Sequence, residues 1–121
     1  MNKTLYTYQA KLIKVVDGDT LDLEVDLGFK VSIKIRARLQ GIDTPEIWGV
    51  KKESQEYQEG MKAKQFVEDW FVRNGTCIVK TIKDKQGKYG RWIARVFSSL
   101  EDEELNSLLL QEGLAVAVNY D

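Results

Sequence analysis

The sequence predicts an α+β protein, mainly β, with five short strands and two or three helices in one domain spanning residues 1–121. Two patterns carry this prediction. Apolar residues alternate with charged ones over the first third of the chain, as in half-buried strands. Residues 54–74 repeat instead with the period of an amphipathic helix. At 121 residues, the chain is long enough for one domain with its own core.

Three strands are predicted before residue 40. The first covers 10–16 and ends at the turn dipeptide Asp17-Gly18. The second covers 21–27 and the third 29–37, with apolar residues at every second position in both. We expect the glycine between them to form the turn and the apolar face of each strand to be buried.

An amphipathic helix follows the three strands. Ser54 is its predicted N-cap, and Asn74-Gly75 is its predicted stop signal. Two further strands are predicted at 76–82 and 91–97, joined by a polar turn.

A second helix is predicted near the C-terminus. Ser98 or Ser99 would cap it, and the acidic segment 101–104 would then occupy its first turn, where negative charge suits the helix dipole. Gly113 would end it, and residues 114–118 would form a short strand or an extended tail. Three strands, a helix, two strands and a helix predict a five-stranded OB-fold Greek-key barrel.

The composition excludes several classes of mechanism. The chain has no His, so it cannot use imidazole catalysis, and one Cys without His cannot close a zinc site. Catalysis would have to use carboxylates, Lys, Arg, Tyr or a metal held by oxygen atoms. No apolar run has the length of a membrane span, and the N-terminus lacks the apolar core of a signal peptide. We therefore expect no membrane contact and a cytoplasmic protein, or a secreted one if a leader has been removed.

Charge is distributed unevenly, although 18 basic residues nearly balance 19 acidic ones. Residues 76–97 carry six basic side chains and one acid, whereas residues 98–121 carry six acids and no basic side chain. The basic strip is a candidate surface for an anionic ligand. A solvated edge strand, protected from aggregation by its lysines, is the alternative that charge alone favours.

Three short clusters contain the candidate functional residues: Asp17-Gly18-Asp19-Thr20, Arg38 with Asp43-Thr44-Pro45-Glu46, and Lys88-Tyr89-Gly90-Arg91. In a three-stranded meander, the start of the second strand and the end of the third lie at the same end of the sheet. Carboxylates from both clusters would converge there and repel each other unless a cation neutralised them. A hard divalent ion does so with oxygen ligands alone. An ordinary hairpin turn is the alternative explanation of the first cluster.

The arginines of these clusters suggest a phosphate ligand. Arg38 and Arg91 are predicted to clamp a phosphodiester, because a guanidinium donates two parallel hydrogen bonds to phosphate oxygens. Arg36 and Arg95 are better explained by surface salt bridges to acids of the second strand. Since the chain has no His, Glu46 is the candidate general base for the attacking water.

Together with a C-terminal pattern, these clusters resemble the staphylococcal (micrococcal) nuclease family, also called thermonuclease-like. The pattern consists of Asn106, Leu110, Gly113, Leu114 and Ala115. The resemblance runs from about residue 12 to residue 118. It implies an OB-fold barrel with helices and a Ca²⁺-dependent phosphodiesterase that acts on DNA and RNA. It also implies cleavage of the P–O5′ bond, which gives 3′-phosphate and 5′-hydroxyl ends.

The resemblance assigns metal and catalytic roles by position. Asp19 and Asp43 match the carboxylates that bind Ca²⁺, and Thr44 matches the residue whose backbone carbonyl binds the ion. Glu46 matches the proposed general base. Asp17 matches the first acid of the family's D-G-D-T motif, behind the metal ligands.

The resemblance also assigns contacts with the substrate. Arg38 and Arg91 match the two arginines that clamp the phosphate, and Lys88 and Tyr89 match positions that touch a nucleotide's phosphate. From the residues alone, a plain hairpin tip is the alternative explanation of Lys88 and Tyr89.

Three departures from the family pattern bear on substrate preference and affinity. The isoelectric point is about 5.6, whereas members of the family are often basic. Residues 47–57, which include Trp48, differ from the prototype's mobile loop, and only Tyr120 lies where the prototype stacks tyrosines on the nucleotide.

The alternative function is a non-catalytic nucleic-acid- or protein-binding module on the same barrel. Such a module would have lost at least one of five side chains that are all present here: Asp19, Arg38, Asp43, Glu46 and Arg91. Mg²⁺ or Mn²⁺ is the less favoured alternative to Ca²⁺. We expect a monomer whose partner is nucleic acid.

Overall fold

The structure, a computed structural model, describes residues 5–86 and 90–119. The elements in chain order are β1 (Thr7–Asp17), β2 (Thr20–Gly28), β3 (Val31–Leu39), β4 (Ile42–Asp43), α1 (Gln55–Asn74), β5 (Cys77–Gln86), β6 (Trp92–Ser98), α2 (Leu105–Gln111) and β7 (Val116–Ala117). Five of these strands close into a barrel in the order β1-β2-β3-β6-β5. The predicted α+β class and OB-fold barrel are therefore confirmed, with two helices in the described part of the chain.

The barrel begins as a meander and closes through its later strands. β1, β2 and β3 pair antiparallel in sequence, which places Thr20 opposite Arg38. β6 then pairs parallel with β3, and β5 pairs antiparallel with both β6 and β1. The β1–β2 turn and the end of β3 consequently lie at one end of the barrel. This is the end at which the sequence predicts converging carboxylates.

The core fills the barrel and extends under both helices. α1 buries Ala63, Val67 and Trp70 against it, and α2 buries Leu105 and Leu109. Because these five side chains are all 0% exposed, each helix is fixed by its apolar face. No helix in residues 5–86 and 90–119 is long and apolar enough to cross a membrane.

Both predicted ends of α1 are confirmed. The Ser54 hydroxyl accepts a hydrogen bond from the Tyr57 amide at 3.1 Å, as an N-cap does. Gly75 follows the helix with φ of 69° and donates its amide proton to the Phe71 carbonyl. A residue with a side chain would be strained at that positive φ.

The predicted start of α2 is wrong. The helix begins at Leu105 with Glu104 as its N-cap, so the acidic segment precedes the helix and does not occupy its first turn. Ser98 ends β6, and its hydroxyl hydrogen-bonds to Asp102 and to the Glu103 amide. The Ser98 hydroxyl thus stabilises the turn between β6 and α2. Serine side chains form such local bonds in turns as readily as they cap helices. The short C-terminal strand is confirmed as β7, which pairs with β4.

The β2–β3 hairpin is longer than the barrel that it helps to form. Phe29 is fully exposed, and Val31 and Ile33 are about half exposed, contrary to the predicted burial of this face. Only the part of β3 after Ile33 meets the rest of the core. The turn also differs from expectation, because Phe29 and Lys30 share positive φ with Gly28.

Candidate active site

The candidate active site forms where the β1–β2 turn meets the segment after β3. The backbone amide of Leu39 donates to the Asp19 carbonyl at 2.9 Å, which ties the turn to the end of β3. The amide of Thr44 donates to Oδ2 of Asp19 at 3.0 Å. Asp19 and Thr44 are both buried, so two predicted metal ligands that are 25 residues apart in sequence lie in direct contact.

Arg38 links the second predicted carboxylate to the first. Its Nη2 lies 3.3 Å from Oδ1 of Asp43 and 3.6 Å from Oδ2 of Asp19. Its Nη1 donates to the carbonyls of Leu39 and Ile42 at 2.9 and 2.8 Å. Arg38 is only 7% exposed, and its bonds to the two carbonyls hold the backbone of the site as well as its charge. The sequence predicted the phosphate clamp but not this structural task.

The first aspartate of the D-G-D-T cluster supports the second. The Asp19 amide donates to Oδ1 of Asp17 at 3.1 Å, and the Thr20 hydroxyl donates to Oδ1 of Asp19 at 3.1 Å. Burial, followed by the hydrogen bond and charge of Asp19, raises the pKa of Asp17 to about 7. Burial also opposes ionisation of Asp19, but hydrogen bonds from Asp17, Thr44 and Thr20 and the charge of Arg38 lower its pKa. Asp19 therefore holds the negative charge, and Asp17 holds the proton more readily.

The remaining acids of the site crowd one another. Burial and then the charge of Asp19 raise the pKa of Asp43. Burial, followed by the charges of Asp19, Asp43 and Glu56, raises the pKa of Glu46. Arg38 opposes both shifts without overcoming them. Asp43 and Glu46 thus ionise less readily than isolated carboxyls, even with Arg38 beside them.

The donor atoms fit a hard divalent cation in their chemistry. Oxygen atoms line the site, and Ca²⁺ accepts carboxylates, backbone carbonyls and waters in an irregular shell. Oγ1 of Thr44 is buried and has no hydrogen-bond partner within the described residues. A buried hydroxyl usually has a partner, so a water molecule or an ion would be accommodated beside it. Among residues 5–86 and 90–119, no group of three or more Asp, Glu or Cys side chains is arranged to hold a metal. An ion here would rest on Asp19 and Asp43, completed by carbonyl oxygen and water.

Two glycines allow α1 to approach the site closely. A Cβ on Gly18 would lie 2.7 Å from Cβ of Ala63 and 2.9 Å from the Thr44 side chain. A Cβ on Gly60 would lie 2.6 Å from the Pro45 carbonyl oxygen and 2.5 Å from Cγ2 of Ile47. Helix α1 therefore packs against the carbonyls of Pro45 and Glu46 and the Ile47 side chain, as well as against the turn that carries Asp19.

The third predicted cluster lies partly outside the described residues. Lys88 and Tyr89 fall there, as does Tyr120. Arg91 is described and immediately precedes β6, whose first residue, Trp92, pairs with Ala37 of β3. Arg91 therefore lies directly before the start of β6, which pairs with β3, the strand that carries Arg38.

The two arginines assigned to surface salt bridges both form them. Arg36 donates from Nε and Nη2 to the two carboxylate oxygens of Asp22 at 2.8 and 3.0 Å. Arg95 makes the same bidentate contact with Glu104 at 2.6 and 3.0 Å, rather than with an acid of β2. Neither ion pair belongs to the carboxylate cluster.

Sequence reasoning missed three contributors to the site. Thr20 is part of D-G-D-T but was given no role, although its hydroxyl bonds Asp19. Glu56 accepts the Glu46 amide at 3.4 Å from the first turn of α1. Gly60, in the middle of an otherwise helical pattern, was the one detectable signal, because an interior glycine often marks close packing.

Fold and site together define an OB-fold protein with an acidic, arginine-bearing cluster at one end of its barrel. The profile of the family described as "Staphylococcal nuclease homologue" matches residues 36–121. The chain belongs to this family.

Curated relatives agree with the family assignment. A thermonuclease from Staphylococcus hyicus is 34% identical over 110 residues, which cover 91% of this chain and 59% of the relative. An uncharacterized protein from Methanocaldococcus jannaschii is 32% identical over 126 residues, covering 89% of this chain and 58% of the relative. An uncharacterized protein from Bacillus anthracis is 30% identical over 114 residues, covering 94% and 49%. The chain thus spans between 49% and 59% of the length of these relatives.

Proposed function

We propose that the protein is a Ca²⁺-dependent nuclease that hydrolyses phosphodiester bonds of DNA and RNA. The observation that carries the proposal is the meeting of Asp19, Asp43 and Thr44 around the buried guanidinium of Arg38. This cluster needs neutralising charge, its donors are all oxygen, and a thermonuclease is among the relatives of the chain.

In this proposal Asp19, Asp43 and the backbone carbonyl of Thr44 hold the cation. When bound, Ca²⁺ supplies positive charge that neutralises the carboxylates and the phosphate. Asp17 orients Asp19 by accepting a hydrogen bond from the Asp19 amide. The Thr20 hydroxyl orients the Asp19 carboxylate by donating to its Oδ1.

Glu46 takes the proton of the attacking water in the proposed reaction. The water oxygen forms a bond to phosphorus, the P–O5′ bond breaks, and the departing 5′ oxygen takes a proton from solvent water, to which Glu46 then returns the proton that it removed. The products are a 3′-phosphate and a 5′-hydroxyl. Burial, the largest cause, raises the pKa of Glu46 and makes it a better base than an ordinary surface glutamate.

Arg38 and Arg91 donate hydrogen bonds to the phosphate oxygens and stabilise the charge that develops on them. Each such donor is worth about 3–4 kcal/mol of barrier, by analogy with oxyanion holes. Lys88 and Tyr89 contact the phosphate of the bound nucleotide. These roles follow the positions that the four residues occupy in the motifs.

Digestion of single-stranded DNA, duplex DNA and RNA, with Ca²⁺ or with EDTA, tests the proposal. We expect release of acid-soluble nucleotides from all three in millimolar Ca²⁺ and none in EDTA, with 3′-phosphate ends on the products. Replacing Ca²⁺ by Mg²⁺ or Mn²⁺ should lower the rate. A protein that binds these nucleic acids but releases no nucleotide would refute the proposal and identify a binding module.

A further inference from the structure

Trp48 is an exposed aromatic side chain beside the candidate active site. It is 60% exposed, whereas Trp70 is fully buried and Trp92 is partly buried. It lies in the segment between β4 and α1, two residues after Glu46. Two residues of extended chain span at most about 7 Å. The backbone of Trp48 is therefore close enough to that of Glu46, the proposed general base, for one bound nucleotide to contact both residues.

The segment that carries Trp48 is held at both ends. Ile47, directly before it, is 7% exposed and lies against Gly60 of α1. At the other end, the amide and hydroxyl of Ser54 donate to the Lys51 carbonyl at 3.0 and 2.6 Å. An aromatic ring on an anchored segment loses little conformational freedom when it binds a ligand.

The same segment, residues 47–54, carries a net positive charge, because Lys51 and Lys52 outnumber Glu53. Lys51 and Lys52 are both exposed and follow Trp48 within four residues. A cationic groove that tracks phosphates, combined with aromatic rings on which bases stack, is the usual way in which proteins bind single-stranded nucleic acids. A duplex keeps its bases paired and stacked, so it offers such a ring no free base face.

We propose that Trp48 stacks on an unpaired nucleobase next to the phosphate in the active site and makes the protein prefer single strands. This inference rests on the proposed function, because it places Trp48 beside the bond that is cut. Trp48 is then a specificity-determining residue that acts on substrate binding more than on the chemical step.

Binding and cleavage by Trp48→Ala and Trp48→Phe test the inference. Kd values for a fluorescein-labelled oligothymidylate and for a labelled hairpin duplex, both with cleavage-resistant phosphorothioate linkages, are measured in Ca²⁺ at low salt, by anisotropy. We expect Trp48→Ala to weaken oligothymidylate binding about 10-fold and duplex binding less than 2-fold, while Trp48→Phe stays within 3-fold of wild type on both. In Ca²⁺, the loss should fall on KM for single strands rather than on kcat.

Val72→Ala is the matched control, because Val72 is 84% exposed on the last part of α1 and should leave both Kd values unchanged. Equal losses on both probes, an unchanged Trp48→Ala, or a wild type that binds neither probe would overturn the inference. A wild type that binds single strands through Trp48 but cuts nothing in Ca²⁺ would overturn the proposed function alone.

Discussion

Gly60 is the residue at which one added methyl group tests how α1 holds the active site. In an ordinary helix interior, replacing Gly by Ala stabilises by about 1 kcal/mol. Here the new Cβ would lie 2.6 Å from the Pro45 carbonyl oxygen, 3.2 Å from that of Glu46 and 2.5 Å from Ile47. Backbone atoms give way at a cost, and overpacking costs about 1–3 kcal/mol. Because two of these three atoms are backbone oxygens, the overpacking cost should lie in the upper part of that range, about 2–3 kcal/mol. After subtraction of the helix-propensity gain of about 1 kcal/mol, we expect Gly60→Ala to destabilise the protein by about 1–2 kcal/mol.

Thermal and chemical unfolding measure this effect. A net loss of 1–2 kcal/mol corresponds to a fall in Tm of several degrees in a chain of this size. Gln58→Ala is the matched control, because Gln58 is exposed on the same helix and should change stability by less than about 0.5 kcal/mol. Activity supplies a second measurement, since displacement of the segment that carries Glu46 should lower kcat about 10-fold with a smaller change in KM. A Gly60→Ala protein more stable than wild type would refute the packing argument.

Three other substitutions test the support around the site. Arg38→Lys should cost about 2–3 kcal/mol, because one ammonium cannot replace a buried guanidinium that hydrogen-bonds two carbonyls and pairs with two carboxylates. A change below about 0.5 kcal/mol in urea unfolding would contradict this. Asn106→Ala should cost about 2–4 kcal/mol, because it leaves the Val96 amide and the Gln40 carbonyl without the bonds that Asn106 makes to them. An unchanged urea midpoint would refute that reasoning. Arg95 lowers the pKa of Glu104, so the pair stabilises above the unfolded pKa of the carboxyl, and this stability is lost as pH falls through the folded pKa. Glu104→Gln should therefore be up to about 1 kcal/mol less stable at pH 7, and the difference should shrink as pH falls below 4.5, the ordinary pKa of the carboxyl. A loss that stays constant as the solution is acidified would show another cause.

The sequence predicts most of the fold because the local signals for strands, helix and caps agree with the elements that the barrel contains. The period changes from two to 3.6 where α1 begins, and Ser54 and Gly75 mark its ends in the predicted way. The start of α2 was missed because a serine before an acidic run suits a turn as well as a helix. Ser98 makes its bonds within such a turn.

Burial along the β2–β3 hairpin could not be read from its pattern. Val31 and Ile33 continue the alternation of the buried residues, but they lie beyond the point where the strand meets the core. Periodicity shows which face of a strand is apolar and does not show how far the partner elements extend along it.

The candidate site was likewise predicted only in part. Carboxylates of the first two clusters were predicted to converge, and Asp19 and Asp43 both lie against Arg38. The contacts of Glu56 and Gly60 depend on how α1 crosses the segment after β4. That crossing is set by tertiary packing, which the spacing of residues along the chain does not contain.

Cleavage of single-stranded DNA in millimolar Ca²⁺, with wild type and Asp43→Ala side by side, tests the proposed nuclease most directly. Wild type should release acid-soluble nucleotides that end in 3′-phosphates. Asp43→Ala removes one of the two carboxylates that Arg38 contacts and should lose at least about 100-fold in rate. Equal rates for the two proteins, or no cleavage by wild type, would contradict the assignment of this acidic cluster as a nuclease centre.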